Sequence, residues 1–295
     1  MPELPEVETT VRDLKKYILG RKIEDVWSDT YKLIKKPKSF SEFKKKLTGR
    51  KIENIQRKGK NILLRLSGNG TLLIHQKMTG HLLYGKWQIT NSKWQSKEKG
   101  PLEEPVNRFI HLMLWLSGRK MLALSDLRKF AKIEFWDNLE LENSKGFKIL
   151  GPDPLEKSFT FKKFKSVIKK KPKGKVKQIL MDQSIISGIG NIYSDEILWV
   201  AEIHPFTQIV QLSDAELKGI YVAVKKILAK AIKLKGDSMS DYRLITGKKG
   251  GYQNVQNVYQ QEGKKCPRKD GGIIKRIKIG GRSAHFCPVC QQLKQ

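Results

Sequence analysis

The sequence predicts an α+β protein, with a β-sandwich or barrel first, a helical segment next and a cysteine-bearing hairpin last. Short apolar runs alternate with turn signals over residues 21–140, residues 158–235 turn helical, and all three cysteines lie after residue 265. A chain of 295 residues with 39% hydrophobic content is long enough for two domains, each with its own core.

The first element is a helix over residues 2–19. Pro suits the first helical turn and Glu suits the positive end of the helix dipole, so the opening MPELPE favours a helix start. Apolar residues then recur at spacings of four, three and four and form one stripe: Val7, Val11, Leu14 and Ile18. We therefore expect the helix to pack on a core while it displays its N-terminal tip.

The next elements are strands, because apolar runs alternate with glycine-bearing turns such as Gly68-Asn69-Gly70 and Ser117-Gly118-Arg119. Residues 85–107 are polar, lysine-rich and proline-bearing, and we expect an extended, disordered loop there. The apolar runs span residues 62–66, 71–75, 109–116 and 121–124.

A helical half follows a break in regular structure. Gly151-Pro152-Asp153-Pro154 predicts a domain hinge. Nine lysines between Lys162 and Lys177 are interleaved with apolar residues, which favours an amphipathic helix with a basic face. Given the net charge of +30, contact of this face with DNA is favoured over a merely solvated face. Residues 236–263, rich in Gly, Ser, Tyr and Gln, are expected to form a mobile loop that leads into a hairpin.

Two places in this half are suited to phosphate binding. Residues 181–196 predict a helix, a tight turn with Gly188 and Gly190, and a second helix whose N-terminus near Asn191 offers N–H groups to a phosphate. The Gly-x-Gly pattern also resembles a dinucleotide loop, but no strand precedes it, which excludes that fold and leaves a plain helical hairpin as the alternative. Arg282 follows a Gly-Gly pair at the tip of the implied hairpin, where it could enter a groove or bind a phosphate.

The charge indicates a polyanionic partner. Lys and Arg number 59 against 29 Asp and Glu, a net charge of +30. Nucleic acid is the first candidate and an anionic membrane surface the second, with a generally basic surface of the ribosomal kind as the alternative. No run approaches the ~20 apolar residues of a membrane span, and the N-terminus lacks the order of a signal peptide. We therefore expect a soluble, intracellular protein.

The N-terminus carries the most specific chemistry. Removal of Met1 leaves Pro2 with a free secondary amine, and an α-amino group has a pKa of about 8, against about 10.4 for lysine. Such an amine can attack a sugar C1′ and form an iminium, with Glu3 beside it as a general acid and Glu6 on the same helix face. Arg57-Lys58-Gly59-Lys60 enters a strand, and a lysine next to the amine would assist by its field, by phosphate contact or by proton transfer.

The cysteines predict a metal site rather than a disulfide framework. Cys287 and Cys290 have the spacing of a zinc knuckle, whereas Cys266 is followed at the matching position by Lys269. Three thiolates need a fourth ligand, and a set of buried thiols without metal is the alternative. The candidates for the fourth ligand are Asp270 and His285.

Five motifs in this order resemble the formamidopyrimidine-DNA glycosylase family, and the resemblance covers nearly the whole chain. They are PELPEVET, RKGK, LGPDPL, MDQSIISGIGNIYSDEIL and GGRSAHFCPVCQ. The resemblance implies an N-terminal β-sandwich flanked by helices, then a helix–two-turn–helix domain with a C-terminal zinc-finger-type β-hairpin. The implied limits are residues 1–140 for the catalytic sandwich, 141–157 for the hinge, 158–250 for the helix–two-turn–helix domain with a lesion-capping loop at 236–252, and 251–295 for the finger-like hairpin.

The resemblance also implies a role for each matching residue. Pro2 resembles the Schiff-base nucleophile, Glu3 the general acid and Glu6 a supporting carboxylate. Lys60 matches the lysine assigned to β-elimination, and Arg282 matches the finger arginine assigned to δ-elimination. The resemblance also implies that three residues fill the void that a flipped base leaves in the stack. For the two apolar residues of this set, ordinary core packing is the alternative. These void fillers are Met78, Arg128 and Phe130, and the implied DNA contacts are His111, Arg128, Asn191 and either Lys173 or Lys177.

The implied function is a bifunctional glycosylase/AP lyase of base excision repair. It would excise 8-oxoguanine and formamidopyrimidines from double-stranded DNA and cleave at abasic sites by β,δ-elimination. The segments 126–130 and 236–243 are similar to the purine branch rather than to the endonuclease VIII-like branch for oxidised pyrimidines, and a non-catalytic damaged-DNA-binding protein is a further alternative. We expect zinc, no nucleotide or redox cofactor, a monomer, and a cytoplasmic location with the nucleoid of a prokaryote.

Overall fold

The computed structural model describes residues 1–294. The chain forms two compact units, of which the first comprises Met1–Lys148 with Leu234–Gln253 and the second comprises Ile149–Lys233 with the residues from Asn254 onward. The chain therefore leaves the first unit close to the predicted hinge and returns to it for one short segment.

The first unit combines helices with β-structure. Its helices are α1 (Leu4–Ile18), α2 (Phe40–Leu47), α3 (Asn138–Asn143) and α4 (Lys145–Lys148). Its strands are β1 (Ile23–Ser28), β2 (Ile34–Lys36), β3 (Ile52–Lys58), β4 (Asn61–Leu66), β5 (Gly70–His75), β6 (His81–Gly85), β7 (Trp87–Thr90), β8 (Lys93–Ser96), β9 (Ile110–Leu116), β10 (Lys120–Ser125) and β11 (Lys132–Asp137).

Two sheets form the predicted β-sandwich. One has the strand order β1-β9-β10-β6 and the other the order β2-β11-β5-β4-β3, with β2 and β11 parallel and the remaining neighbours antiparallel. Alternate side chains of both sheets and the apolar stripe of α1 fill one core. This core confirms the predicted N-terminal helix and sandwich, and its members include Val7, Leu14, Leu64, Leu72 and Leu114.

The prediction of a disordered loop at residues 85–107 is wrong. Strands β7 and β8 pair as an antiparallel hairpin, here called the tryptophan hairpin. Trp94 packs edge-on against Trp27 and Trp115, with ring centroids 5.3 and 5.7 Å apart. The two partners belong to β1 and β9 and alternate with residues of the main core, so the hairpin covers the opposite face of the four-stranded sheet. The area that these tryptophans bury outweighs the polar composition of the segment.

The segment 236–252 is packed rather than mobile over much of its length. Tyr242, Leu244 and Ile245 are buried, and Ile245 belongs to the core of the sandwich. The Ile245 carbonyl accepts a hydrogen bond from the Tyr84 N–H at 2.7 Å. The apolar residues among the glycines and serines therefore attach this segment to the first unit.

The second unit is helical and ends in a hairpin. Its helix α7 packs against α6, α8 and β13, and α5 packs against α8. The predicted helix, glycine turn and second helix are present as α6, a turn in which Gly188 has a φ of +98°, and α7. The elements are α5 (Phe161–Ile168), α6 (Val176–Met181), α7 (Asn191–Val200), α8 (Asp214–Lys233), β12 (Lys275–Ile279) and β13 (Arg282–Phe286).

The lysine-rich segment does not form one basic helix. Helix α5 ends at Ile168, before Pro172 and Gly174, and α6 begins only at Val176. Pro and Gly are the poorest helix formers, which explains the interruption. Across residues 1–294, none of the helices combines the length and apolar character that a bilayer crossing requires.

Candidate active site

The N-terminus of α1 is buried in the first unit. Pro2 is buried, and Glu3 and Glu6 are 2% and 1% exposed. Glu6 Oε2 accepts a hydrogen bond from the Glu3 backbone N–H at 2.7 Å. A carboxylate in the first helical turn also interacts favourably with the positive end of the helix dipole. Glu6 therefore holds the backbone immediately after Pro2.

Glu6 also holds the predicted lesion-capping loop. Its Oε1 accepts a hydrogen bond from the Asp237 N–H at 2.8 Å, and its backbone carbonyl accepts one from the Tyr242 hydroxyl at 3.1 Å. Burial, with the nearby Glu6 charge, raises the pKa of Tyr242, so the hydroxyl keeps its proton and donates. Gly236 has a φ of +79°, and a Cβ there would come within 2.7 Å of the Glu6 carboxylate, so this close approach requires glycine.

Lys60 is placed by a chain of polar contacts that starts on α1. It lies in the turn between β3 and β4 and is 7% exposed. Arg57 donates to Glu8 Oε2 from Nε at 2.9 Å and to the Gly59 carbonyl from Nη1 at 3.1 Å. The Arg57–Glu8 ion pair is largely buried and joins β3 to α1. The turn that carries Lys60 is therefore fastened to the helix that carries Glu3 and Glu6.

His75 is a residue of this region that the motifs did not reveal. Burial, together with the charges of Lys77, Lys60 and Lys132, lowers the pKa of His75 to about 3. The neutral ring accepts a hydrogen bond from the Lys77 N–H on Nδ1 at 3.0 Å. His75 thus shapes the turn that leads to Met78. Its position at the end of an apolar strand was the signal available in the sequence.

The predicted void fillers lie on two loops that share one carboxylate. Asp126 Oδ2 accepts the N–H groups of Phe130 and Ala131, each at 2.8 Å, while Oδ1 accepts the Thr79 hydroxyl. Thr79 Oγ1 in turn accepts the Arg128 N–H at 3.0 Å. Phe130 is 51% exposed, and the Arg128 guanidinium lies 4.8 Å from its ring centroid. Phe130 is therefore not a core residue, and Met78, next to Thr79, is half-buried.

His111 is held by the end of strand β1. The imidazole is 7% exposed, and its Nδ1 lies 2.9 Å from Asp29 Oδ1 and 3.3 Å from Thr30 Oγ1. A carboxylate partner fixes the orientation of a histidine ring and leaves the other nitrogen for a ligand. The structure thus orients this predicted DNA contact within the first unit.

The predicted phosphate contacts of the second unit differ in exposure. Asn191 is the first residue of α7, directly after the Gly190 N-cap, and Lys173 is exposed. Lys177 is fully buried, and its Nζ donates to Asp195 Oδ1 at 2.5 Å and to Ser194 Oγ at 3.1 Å. Because that ammonium group is used inside the unit, the structure argues against Lys177 as a direct phosphate contact and leaves Lys173.

Four predicted metal ligands are gathered in one cluster. The ligand atoms of Cys266, Asp270, Cys287 and Cys290 all lie within 4.8 Å of one another. Ligands bound tetrahedrally to zinc at 2.3 Å lie about 3.8 Å apart, so the donor set fits zinc. Asp270 Oδ2 is 3.4 Å from Cys287 Sγ, and the Gly272 N–H lowers the pKa of Asp270. The cluster takes Asp270 as its fourth member.

His285, the other candidate ligand, is used elsewhere. Its Nδ1 hydrogen-bonds to Asp195 Oδ2 at 3.0 Å. Burial raises the pKa of the Cys266 and Cys290 thiols, so metal binding must displace protons from them. Arg282 begins β13 directly after the Gly280-Gly281 turn, at the tip of the hairpin as the sequence predicted, and its side chain is exposed.

Three family models match successive regions of the chain. Residues 1–133 match the formamidopyrimidine-DNA glycosylase N-terminal domain, residues 150–243 match the H2TH domain of that enzyme, and residues 263–293 match the zinc finger found in FPG and IleRS. The formamidopyrimidine-DNA glycosylase of Pelotomaculum thermopropionicum is 37% identical over 294 residues, which is 100% of both chains.

The chain belongs to the formamidopyrimidine-DNA glycosylase family. A solved complex of the Lactococcus lactis Fpg with abasic-site DNA has a TM-score of 0.85 and 35% identity and covers 98% of this chain and 99% of its own. A complex of MutM with DNA that contains carbocyclic 8-oxo-G has the same TM-score and identity and covers 99% and 100%. The family consists of DNA glycosylases with AP lyase activity, so the chain is a base excision repair enzyme. Neither the endonuclease VIII-like nor the non-catalytic alternative is favoured.

Proposed function

We propose that this enzyme excises oxidised purines, namely 8-oxoguanine and formamidopyrimidines, from double-stranded DNA and then cleaves the strand at the abasic site. Pro2, freed by removal of Met1, is the nucleophile. Glu3 is the general acid, Lys60 assists β-elimination, and Arg282 binds the phosphate next to the lesion and assists δ-elimination. We further propose that the enzyme acts as a monomer on the nucleoid DNA of a prokaryotic cytoplasm.

Base release follows from the properties of the N-terminal amine. The Pro2 nitrogen attacks C1′ of the flipped nucleotide, and the bond from C1′ to the base breaks as the base takes up a proton. The C1′–O4′ bond of the sugar then breaks, with Glu3 donating the proton that O4′ takes up. Because the attacking amine is secondary, the product is a positively charged iminium that forms without loss of a second proton from nitrogen. The iminium draws electrons from the sugar, which acidifies the C2′ hydrogen. No redox cofactor takes part, because the amine itself is the electron sink.

Strand cleavage then proceeds by two eliminations. Loss of the C2′ proton expels the 3′ phosphate in β-elimination, and a further elimination expels the 5′ phosphate. Lys60 carries an ammonium in the turn fastened to α1, and Arg282 offers a planar fork of donors that suits a phosphate. A gap of one nucleotide flanked by phosphates is the expected product.

The start of α1 carries this proposal: Pro2 and Glu3 lie at its buried N-terminus, and the Glu6 carboxylate accepts the backbone N–H groups of both Glu3 and Asp237 of the distant loop. A structural helix start needs no such link to a distant loop. The loop at 236–252 offers backbone N–H groups and small polar side chains, which can bind the polar edge of an oxidised purine. The shared carboxylate supports an arrangement in which nucleophile and lesion-binding loop are aligned together.

Borohydride trapping tests the proposal on duplexes that contain either 8-oxoguanine opposite cytosine or thymine glycol. The expected result is a covalent adduct at Pro2 on the first duplex, and adduct on the second duplex alone would overturn the purine assignment. Mass spectrometry of the N-terminus shows whether Pro2 is free. Glu3→Gln should slow base release by roughly 100-fold or more, the usual contribution of a general acid. The matched control is Glu24→Gln, which changes an exposed carboxylate of β1 and should leave the rate unchanged.

A further inference from the structure

Asp195 is a fully buried carboxylate at the centre of the second unit. It lies on α7, and both of its oxygens receive donors from other elements. Oδ1 accepts a hydrogen bond from Lys177 Nζ of α6 at 2.5 Å. Oδ2 accepts one from the His285 backbone N–H and one from its Nδ1, each at 3.0 Å. Lys177 and Asp195 are 0% exposed and His285 is 4% exposed.

These contacts attach the finger hairpin to α7 close to Arg282. His285 lies three residues after Arg282 on the same five-residue strand, β13. The hydrogen bond from its backbone fixes the strand itself rather than only a side chain. The ring of the next residue, Phe286, packs edge-on against His204 with centroids 4.6 Å apart. The buried end of β13 is thus anchored, while the end with Arg282 is exposed.

Helix α6 approaches the same hairpin at its turn. A Cβ on Gly280 would come within 3.2 Å of Gln178 Cδ, so the glycine turn lies directly against α6. Lys177, the preceding residue, also has its Nζ 3.4 Å from the Asn191 carbonyl at the start of α7. The hydrogen bonds of Lys177, Asp195 and His285 therefore connect the hairpin that carries Arg282 with the N-terminus of α7, where Asn191 lies.

We propose that Asp195 is a positioning residue for Arg282. It would set the place of the finger arginine relative to the α7 N-terminus, so that both reach the phosphates of one damaged strand. The inference deepens the proposed function and rests on it for the role of Arg282. The contacts of Asp195 also attach the hairpin at a second point, separate from the metal cluster in which Asp270 takes the place of a cysteine.

A purely structural role for the ion pair predicts something different. A buried ion pair is by itself weak support for stability, because removing its charges from water costs about as much as their attraction returns. If Asp195 only stabilised the unit, its replacement would affect DNA binding independently of Arg282. If it acts through Arg282, its replacement should have no further effect once Arg282 is gone.

A double-mutant cycle on the zinc-loaded, full-length enzyme separates these cases. The readout is the Kd for a duplex that contains a tetrahydrofuran abasic analogue, which needs no catalysis. Arg282→Ala should raise Kd by roughly 10- to 100-fold, the value of one charge-assisted phosphate contact. Asp195→Asn keeps the shape but places an amide donor against Lys177 or His285, and should raise Kd by roughly tenfold. In the Arg282→Ala background, Asp195→Asn should change Kd by less than about twofold.

A matched control and a milder variant distinguish an effect on Arg282 from a general loss of folding. Asp25→Asn makes the same chemical change at a half-exposed carboxylate of β1 paired with Lys44, and should leave Kd unchanged. His285→Phe keeps the ring packing and the backbone hydrogen bond but removes the Nδ1 contact, and should raise Kd by a few-fold only while Arg282 is present. Zinc content and the thermal midpoint are measured for each variant.

Equal effects of Asp195→Asn with and without Arg282, at unchanged zinc content, would overturn the proposal. If Asp195→Asn does not fold, His285→Phe decides the question by the same comparison. The product pattern adds a second readout: loss of positioning should shift cleavage of abasic DNA from δ- to β-elimination products. If the wild-type enzyme bound the analogue but cleaved no damaged DNA, the proposed function would be refuted. The double-mutant cycle on Kd would still test whether Asp195 positions Arg282.

Discussion

Glu6 is a single carboxylate whose two oxygens serve two separate segments of the chain. One oxygen accepts the N–H of Glu3, and the other accepts the N–H of Asp237, which lies 231 residues after Glu6 in the chain. A glutamine has one oxygen where the carboxylate has two. Its amide group would therefore face one of these N–H groups donor to donor.

We expect Glu6→Gln to lower the free energy of unfolding by roughly 1–3 kcal/mol, the cost of a buried donor left without its acceptor. Excision of 8-oxoguanine should fall more than stability alone explains, because the backbone beside Pro2 is no longer held. Urea unfolding and single-turnover excision measure the two effects. Wild-type excision by a folded Glu6→Gln enzyme would contradict the role given to Glu6, and Glu24→Gln serves again as the exposed control.

His75 makes stability depend on pH in a definite direction. Its pKa in the folded enzyme is about 3, below the 6.5 of an unperturbed histidine, because burial disfavours the charged ring. Between these two values the unfolded chain binds one more proton than the folded chain, so acid favours unfolding. His75 therefore has no effect above about pH 6.5 and lowers the free energy of unfolding by roughly 1.4 kcal/mol for each pH unit below it.

We predict that His75→Asn removes this part of the acid sensitivity. Asparagine can still accept the hydrogen bond from the Lys77 N–H but does not titrate. Between pH 7 and pH 5 the wild type should lose roughly 2 kcal/mol more stability than the variant, measured by urea unfolding. If the free energies of unfolding of the two proteins changed equally with pH, His75 would bind its proton equally well in the folded and unfolded states, and the prediction would be wrong.

At the scale of elements, the finger is a turn and a hairpin joined by one cluster of ligands. Asp270 follows Lys269, whose φ of +58° lies in the left-handed region. This turn brings a carboxylate to the place where the zinc knuckle pattern has a thiolate. A carboxylate is a harder ligand for zinc than a thiolate, but the geometry of four donors is retained.

We expect Asp270→Ala to weaken zinc binding by at least about tenfold, since structural zinc sites use four protein ligands. Competition with a chromogenic chelator measures the affinity without reference to activity. Glu262→Ala, an exposed carboxylate outside the cluster, is the control. Unchanged zinc affinity in Asp270→Ala together with a loss in His285→Ala would move the fourth ligand to the histidine.

At the scale of the whole molecule, a charge of +30 makes DNA binding strongly dependent on salt. The structure separates the two lysines that the sequence left as alternatives. Lys173 is exposed, whereas Lys177 is paired with Asp195 inside the second unit. Only the first of the two is available for counterion release.

Lys173→Ala should reduce the slope of log K against log salt by about 1, the value of one phosphate contact. Lys177→Met should leave that slope unchanged but lower the free energy of unfolding by roughly 3 kcal/mol, because Asp195 loses its buried cation. Titrations of fluorescent duplex at four salt concentrations measure the slopes. A smaller slope in Lys177→Met with an unchanged slope in Lys173→Ala would reverse the assignment.

Local patterns in the sequence were sufficient to predict several elements of this protein. The stripe of α1, the strands of the sandwich, the glycine turn before α7 and the order of the five motifs all follow from spacings within a few residues. The family, and with it the candidate roles of Pro2, Glu3 and Lys60, could be predicted from these motifs alone.

Contacts between residues far apart in the chain could not be predicted in this way and are seen only in the folded molecule. Asp195 meets Lys177 across 18 residues and His285 across 90, and Trp94 is ordered by Trp27 and Trp115 on other strands. A lysine or a tryptophan in a polar segment looks exposed until such a partner is known. Burial of a charge or a large ring is favourable only where the fold supplies its counterpart, and no local spacing records that.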